Sequence, residues 1–234
     1  ELGYGLLSLI SAPKDGQKLT DQIKALRRQM ASDIGFVMPS VRIQDNMQLP
    51  ANIYAIRIKE IEAGRGDLRP NMLLVMDPRG EEITRAGEKT TEPPFGLPAM
   101  WIEEANREEA LFRGYTVVDP PTVITTHLTE VVKEHMPDLQ TYGATQHLIE
   151  GLDRDYQKLI GEIGGTSPAI LVQHVLQALL TERVSIRNLP LILEAIAETR
   201  GQGARPEATY LKENLFLRTY AESFLRRPAP PRLS

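Results

Sequence analysis

The sequence predicts a mixed α/β fold followed by an all-α region, and three observations carry that expectation. Short apolar runs bounded by turn residues fall within the first 120 positions. Amphipathic stretches of helical period punctuate the same region and take over entirely from Gly143 onward. No repeat of fixed period points to a solenoid, so strands packed with helices and then a small helical bundle is the economical architecture.

Taken in order, Leu19 to Ile34 places Ile23, Leu26, Met30 and Ile34 on one helical stripe, with Thr20 as N-cap, Asp21 in the first turn and Gly35 as stop. Phe36 to Gln44, Ile53 to Glu62 and Met72 to Met76 read as strands of one sheet, with Gly64-Arg65-Gly66-Asp67 as turn material. Asp77-Pro78-Arg79-Gly80 is a turn signature, Pro presetting one dihedral and Gly free to take positive φ. The chain then reads as loop until Trp101, followed by a helix from Glu103 to Phe112 ending at Gly114 and a short strand, Tyr115 to Val118. Asp119-Pro120-Pro121 opens another helix, Asp capping and Pro standing where its missing N–H costs nothing, and that helix is expected to stop at Pro137. Ser167-Pro168 starts a strong helix through Leu180, and Asn188 begins one through Ala197 with Leu189, Ile192, Leu193 and Ile196 inward.

Composition narrows the function classes. With 234 residues and 41% hydrophobic content the chain can bury a sizeable core, and no apolar run approaches a membrane span. The absence of cysteine removes disulfides, thiolate nucleophiles and Cys-based metal sites, and suits a cytoplasmic protein. The net charge of -4 is uneven: residues 200 to 234 carry seven Arg/Lys and three Glu, so the rest stands at 20 minus 28, or -8. An acidic body lacks the footprint that phosphate-backbone binding needs, so nucleic acid is not an expected partner.

Nothing in the chain reads as a reaction centre. His127, His135, His147 and His174 fall in no HExxH pattern, and no acidic cluster has metal-loop spacing, so no metal site or cofactor is expected. Gly64-Arg65-Gly66 and Gly161 to Gly165 lack the spacing of phosphate loops and are expected to be turns. Ser167 and Ser185 have no nucleophile elbow, and the pairs Glu81-Glu82 and Glu103-Glu104 are adjacent, which on a helix points them apart.

The anomaly is GEKTTEPPFGLPAMWI, Gly87 to Ile102. Pro93-Pro94 remove two backbone donors and hold the chain extended, so the segment should be a stiff surface connection outside any sheet. Phe95 before Gly96 is either an aromatic anchor offered to a partner or the closure of a small core; Trp101 is expected in the core.

Four stretches in order, RIQDNMQL, GEKTTEPPFGLPAMWIE, GYTVVDPPTVITTHL and VLQALLTERVSIRNLPLILEAIAE, resemble the cytoplasmic domain of the FlhA family (FHIPEP), the flagellar type III secretion export gate. The likeness runs from Glu1-Leu2-Gly3-Tyr4 to about Thr199, some 85% of the chain, and favours the flagellar over the virulence branch. It implies a first α/β subdomain at 1–70 and 120–139, an inserted second subdomain at 71–119, and a helical third subdomain at 140–199. The membrane half and the last subdomain of the family have no counterpart here, and 200–234 is an atypical tail in which Leu211, Leu215, Tyr220, Phe224 and Leu225 have the spacing of an amphipathic helix.

The resemblance also implies a docking platform at the cytoplasmic face of the bacterial inner membrane, not an enzyme, assembled as a nine-membered ring. Its expected partners are export chaperones with their substrates and the soluble ATPase complex. Chaperones would dock in a hydrophobic dimple between the first two subdomains, and the family motifs fall on Glu92, Phe95, Thr126 and Pro78, with Val118 a weaker candidate. Glu92 stands where the family has Asp, one methylene longer, and Asn188 replaces Asp as a cap. Two other readings stay open: a small-molecule enzyme with a site between the α/β and helical parts and His127 as acid/base, and a purely structural ring-forming fragment whose dimple the tail covers.

Overall fold

The computed structural model describes residues 1–11, 18–83, 87–163 and 167–201. The expected tail helix lies outside those residues. The chain divides into two compact units, one of Glu1–Gln29 with Pro39–His135, the other of Met30–Met38 with the chain from Met136 on.

In the first unit, a 3-10 turn at Tyr4–Leu6 leads into α1 (Ser8–Ser11); α2 (Leu19–Asp33) follows and its last turn, from Met30, belongs to the second unit. Ile23, Leu26 and Met30 are buried along one stripe of α2, as their spacing requires. Thr20 lies inside this helix rather than capping it. Gly35, at φ 78°, ends the helical path.

The strands do not form one sheet. β1 (Ile53–Ile58) and β2 (Ile61–Asp67) make a separate two-stranded hairpin. The run from Ile53 to Glu62 is therefore not a single strand. It reverses at Lys59-Glu60, both at positive φ (49° and 67°), as a two-residue hairpin turn of the right twist requires. Gly64-Arg65-Gly66-Asp67 is likewise not a turn but the paired body of β2, and an irregularity in register lies beside Ile56/Arg57. Phe36 to Gln44 forms no strand, although Phe36 and Met38 are buried around exposed Val37, the two-residue rhythm of a strand. Pro39, which has no N–H to donate, interrupts what would be the ladder.

The second sheet has the order β4-β5-β3-β6, with β3 at Met72–Met76, β4 at Glu88–Thr91, β5 at Pro98–Glu103 and β6 at Thr116–Val118, all antiparallel. The stretch expected to be loop until Trp101 is thus largely a hairpin, with only Glu92 to Leu97 between its strands. Pro93 and Pro94 do stay out of the ladder, while Pro98 opens β5 opposite Thr91. One face of the sheet buries Leu73, Val75, Met100 and Ile102 with Ile83 and Ala110, flanked by Tyr115 and Val117. The opposite face holds Leu74 and Trp101, paired across β3 and β5. Trp101 is 1% exposed. Burying about 200 Å² of indole contributes about 5 kcal/mol of transfer free energy.

A 3-10 turn at Glu104–Asn106 and α3 (Arg107–Phe112) connect β5 to β6. The helix expected from Glu103 starts later because Glu103 is still paired with Met72. Asp119 then accepts from the Thr122 N–H at 2.9 Å and caps α4 (Pro120–Leu139). This helix runs through Pro137, where a stop was expected. So near the C-terminal end, proline removes only one intrahelical bond, and Gln140 N–H still reaches the Met136 carbonyl at 3.0 Å.

The second unit contains α5 (Tyr142–Glu150), α6 (Arg154–Ile163), α7 (Pro168–Thr181) and α8 (Leu189–Gly201). Val172, Val175, Leu176, Leu179 and Leu180 of α7 are buried, as are Leu189, Ile192, Leu193 and Ile196 of α8. A polar knot there centres on Gln140, whose carbonyl accepts from Gln173 and Gln177 at 3.1 Å and whose side-chain amide donates to Thr145 at 3.0 Å, so these buried groups are satisfied. Asn188 caps α8 by accepting from Leu191 N–H at 3.3 Å, the role expected of either Asn or Asp. Gly161 sits within α6 rather than in a turn, and the next two glycines lie outside the described residues. Among the described residues no single helix is long and apolar enough to cross a membrane.

Candidate functional site

The β4–β5 loop is built around a buried acid. Glu92 is 5% exposed, and its Oε2 accepts from the Phe95 N–H at 2.8 Å. Its backbone closes the loop from both sides, the N–H donating to Leu97 O at 2.8 Å and the carbonyl accepting from Gly96 N–H at 2.9 Å. Gly96 takes φ 68°, the left-handed conformation that lets the chain turn back into β5. Pro93 and Pro94 restrict the remaining rotations. The product is a stiff loop that leaves Phe95 58% exposed, with Leu97 exposed beside it.

Burial pushes the Glu92 carboxyl above its ordinary value, partly offset by the Phe95 N–H. The Tyr54 phenol is pushed up as well, first by its own burial and then by the charge of Glu92, which places the two groups in one electrostatic neighbourhood. Tyr54 and His127 share a hydrogen bond of 2.7 Å between hydroxyl and Nδ1, with their rings edge to face at 5.7 Å. Burial holds the His127 pKa below the usual range, so the imidazole is neutral at physiological pH.

Two glycines make room for that pair. A Cβ on Gly66 would stand 2.5 Å from the Tyr54 ring, and one on Gly64 would stand 2.8 Å from His127 Nε2. The Gly-x-Gly of β2 is therefore a flat bed for two rings on one strand face, neither a turn nor a phosphate cradle. His127, 7% exposed, has one ring nitrogen bonded to Tyr54 and the other against Gly64, and is packed between them.

The other residues expected at the site occupy neighbouring elements. Pro78 is exposed at the tip of the turn after β3, where the buried Asp77 carboxylate accepts the Arg79 N–H at 2.7 Å and that bond, with the Arg79 guanidinium, holds its pKa below the usual range. A Cβ on Gly80 would lie 3.9 Å from the Leu97 side chain, so this turn and the Phe95 loop are adjacent. Val118, half-buried, pairs with Leu74 in β6. Thr126, half-buried, precedes His127 on α4. Among the described residues, no hydrogen bond ties Pro78, Val118 or Thr126 to Phe95; only Glu92 is directly bonded to it. Tyr54 and the two glycines were not foreseen here, although a lone Tyr in Ile-Tyr-Ala-Ile opposite Gly-x-Gly is the signal that pairs them.

Among the described residues no group of three or more His, Asp or Glu side chains gathers as a metal site. What the arrangement offers is an exposed aromatic side chain on a loop pinned by a buried carboxylate.

Comparison with known proteins agrees in fold and in family. The solved structure of Chlamydia pneumoniae CdsV superposes with a TM-score of 0.76 at 23% identity, covering 91% of this chain and 63% of that one. The nonameric SctV-C of EPEC superposes at 0.60 and 18% identity, covering 85% and 60%. Curated relatives are more similar in sequence: the flagellar biosynthesis protein FlhA of Caulobacter vibrioides is 59% identical over 199 residues, 85% of this chain and 28% of that protein. FlhA of Bacillus subtilis is 44% identical over 85% of this chain and 29% of its own length. The chain thus spans less than a third of the curated relatives it matches. The FHIPEP family signature covers residues 1–217, running past Thr199, where the resemblance read from motifs had ended. By that match and by its identity to the FlhA proteins, the chain belongs to the FHIPEP family.

Proposed function

We propose that the chain is a docking platform of a flagellar type III protein export gate, and that export chaperones with their substrates bind in a hydrophobic dimple around Phe95. The observation that carries this reading is the loop itself: an aromatic side chain left mostly in water although its backbone is pinned by a buried carboxylate. A solvent-facing Phe forgoes about 1.5 to 3 kcal/mol of burial, which a partner recovers on docking. In this reading Glu92 holds Phe95 in place, and Pro78, Val118 and Thr126 line the dimple between a first subdomain (1–70 and 120–139) and an inserted one (71–119). Residues 140–199 form the third.

Assembly and location follow the family. The CdsV relative has been solved in complex with CdsO, and the SctV-C relative as a nonamer. By analogy this chain contributes to a nine-membered ring at the cytoplasmic face of the inner membrane, receives further export-apparatus proteins including the ATPase complex, and carries out no catalysis. The packing of His127 against Tyr54 and Gly64 disfavours the enzyme alternative.

The test is a calorimetric titration of the protein with an export chaperone bound to its substrate. Phe95→Ala should weaken binding by about 2 kcal/mol, roughly thirtyfold, with the circular dichroism spectrum unchanged. Unaltered affinity in a folded variant rules out this site.

A further inference from the structure

The two sheets of the first unit are separate objects. Among the described residues no backbone hydrogen bond joins the β1–β2 hairpin to the four-stranded sheet. The polypeptide passes between them at Leu68–Asn71, leaving β2 for β3, and leaves the sheet again at Asp119, between β6 and α4. Two single-strand crossings on one side of a body are the covalent requirements of a hinge.

Among the described residues, the side-chain hydrogen bonds across that gap come from Arg69, beside the electrostatic contact of Glu92 with Tyr54. Arg69 stands in the first crossing. Its Nη1 donates to Asp67 Oδ1, at the end of β2, at 2.7 Å, and its Nε donates to Glu88 Oε2, at the start of β4, at 3.1 Å. Its Nη2 donates to the other Glu88 oxygen, so guanidinium and carboxylate meet fork to fork. The Leu68 carbonyl takes a further bond from Nη1 at 3.1 Å, which fixes the fork relative to its own backbone. Glu88 pairs across the ladder with Trp101, the residue at the centre of the sheet. A force on Glu88 is therefore transmitted to the sheet as a whole.

We propose that Arg69 is a latch that fixes the orientation of the four-stranded sheet on the β1–β2 hairpin, and that releasing it lets the sheet swing about the 68–71 and 119 crossings without unfolding. All three partners are partly exposed, Arg69 at 26%, Asp67 at 49% and Glu88 at 47% of their side chains. Ion pairs so placed are weak and screened by salt, which suits a contact that must open as well as close. The bidentate geometry makes it specific to arginine, because lysine offers one point of charge instead of a planar fork. This inference concerns motion within the unit and holds whatever the Phe95 loop binds.

The chain has no cysteine, so a pair of spin labels can be introduced without background. Ile61→Cys, at the tip of the hairpin, and Phe112→Cys, on α3 beyond the sheet, are 73% and 92% exposed and lie on the two moving parts. Pulsed electron-paramagnetic-resonance distances in the full chain should give one narrow distribution in low salt. Arg69→Ala and Glu88→Gln should each broaden it at least twofold, and Arg69→Lys should broaden it partially. High salt should broaden the parent protein and leave Arg69→Ala unchanged. The fluorescence of Trp101 establishes that the sheet remains folded, and Glu88→Gln, nearly isosteric, serves if Arg69→Ala does not fold. A narrow distribution in folded Arg69→Ala or Glu88→Gln overturns the latch.

Discussion

The two hairpins of the first unit solve the same problem, reversing an antiparallel strand, with opposite means. β1–β2 uses the shortest connection, two residues, and accepts left-handed backbone at Lys59 and Glu60, neither of them glycine. Arg57 steadies the turn by donating to the Glu60 carbonyl at 3.0 Å. β4–β5 uses six residues, two of them prolines, supplies glycine where positive φ is needed, and commits a buried carboxylate to hold the tip. The first turn carries local strain and is held by its ladder. The second is relaxed in the backbone and puts its unfavourable term in an exposed ring and a buried acid. A loop that merely connects can be short and strained, whereas one that presents a side chain needs internal support.

The sharpest way to break the contrast is at the body of the first hairpin, where rigidity comes from packing and not from the turn. Gly66→Ala puts a methyl 2.5 Å from the Tyr54 ring, which cannot retreat while it is bonded to His127. We expect a loss of about 2 to 3 kcal/mol of unfolding free energy in urea, the upper part of the usual range for overpacking. A loss below about 0.5 kcal/mol would mean that the ring pair is loose.

A smaller, opposite effect is expected at the turn. Lys59→Asn together with Glu60→Gly supplies residues suited to positive φ at both positions and should stabilise the protein by about 1 kcal/mol. Chaperone affinity should not change, since neither side chain belongs to the Phe95 loop. A change in affinity would join the two hairpins functionally and weaken the division drawn between them.

These contrasts also mark what was legible in the sequence. Helices announced themselves, because α4 and α8 carry caps at Asp119 and Asn188 and apolar residues at helical spacing, all local signals. Strand pairing did not, because it is decided by distant partners. Gly64-Arg65-Gly66 has the composition of a turn and becomes a strand only because two rings need the space its missing Cβ atoms leave. Phe36 to Met38 has the alternation of a strand but joins neither sheet. The prolines place Pro93 and Pro94 outside the ladder, but the expectation that all of Gly87 to Ile102 lies outside a sheet fails, because the strands on either side were hidden by polar Glu88, Lys89 and Thr90 on an edge that tolerates them. At the candidate site the exposed Phe was readable as one of two possibilities. The buried Glu that holds it was visible only through the family resemblance, since nothing local distinguishes Glu92 from the solvated acids around it.

The smallest effect tests whether that acid is the support it is taken to be. Burial raises the Glu92 carboxyl above 4.5, its ordinary value, while the Phe95 N–H pulls the other way without cancelling the shift. Between the ordinary value and the raised one, the unfolded chain has given up its proton and the folded chain still holds it. The folded state then binds more protons, so stability falls as pH rises through that window and levels off above it. Glu92→Gln removes the titration and keeps an acceptor for the Phe95 N–H. Urea midpoints of parent and variant should therefore diverge as pH rises from 4 toward neutrality, roughly the range above the ordinary carboxyl value, with the parent losing ground. Chaperone binding by the variant should stay close to that of the parent, because the loop is still capped. If instead the parent gains stability on the variant over that range, the carboxylate is better solvated or better paired than its position at the base of the loop implies, and the account of how Phe95 is held would have to be rebuilt from the prolines alone.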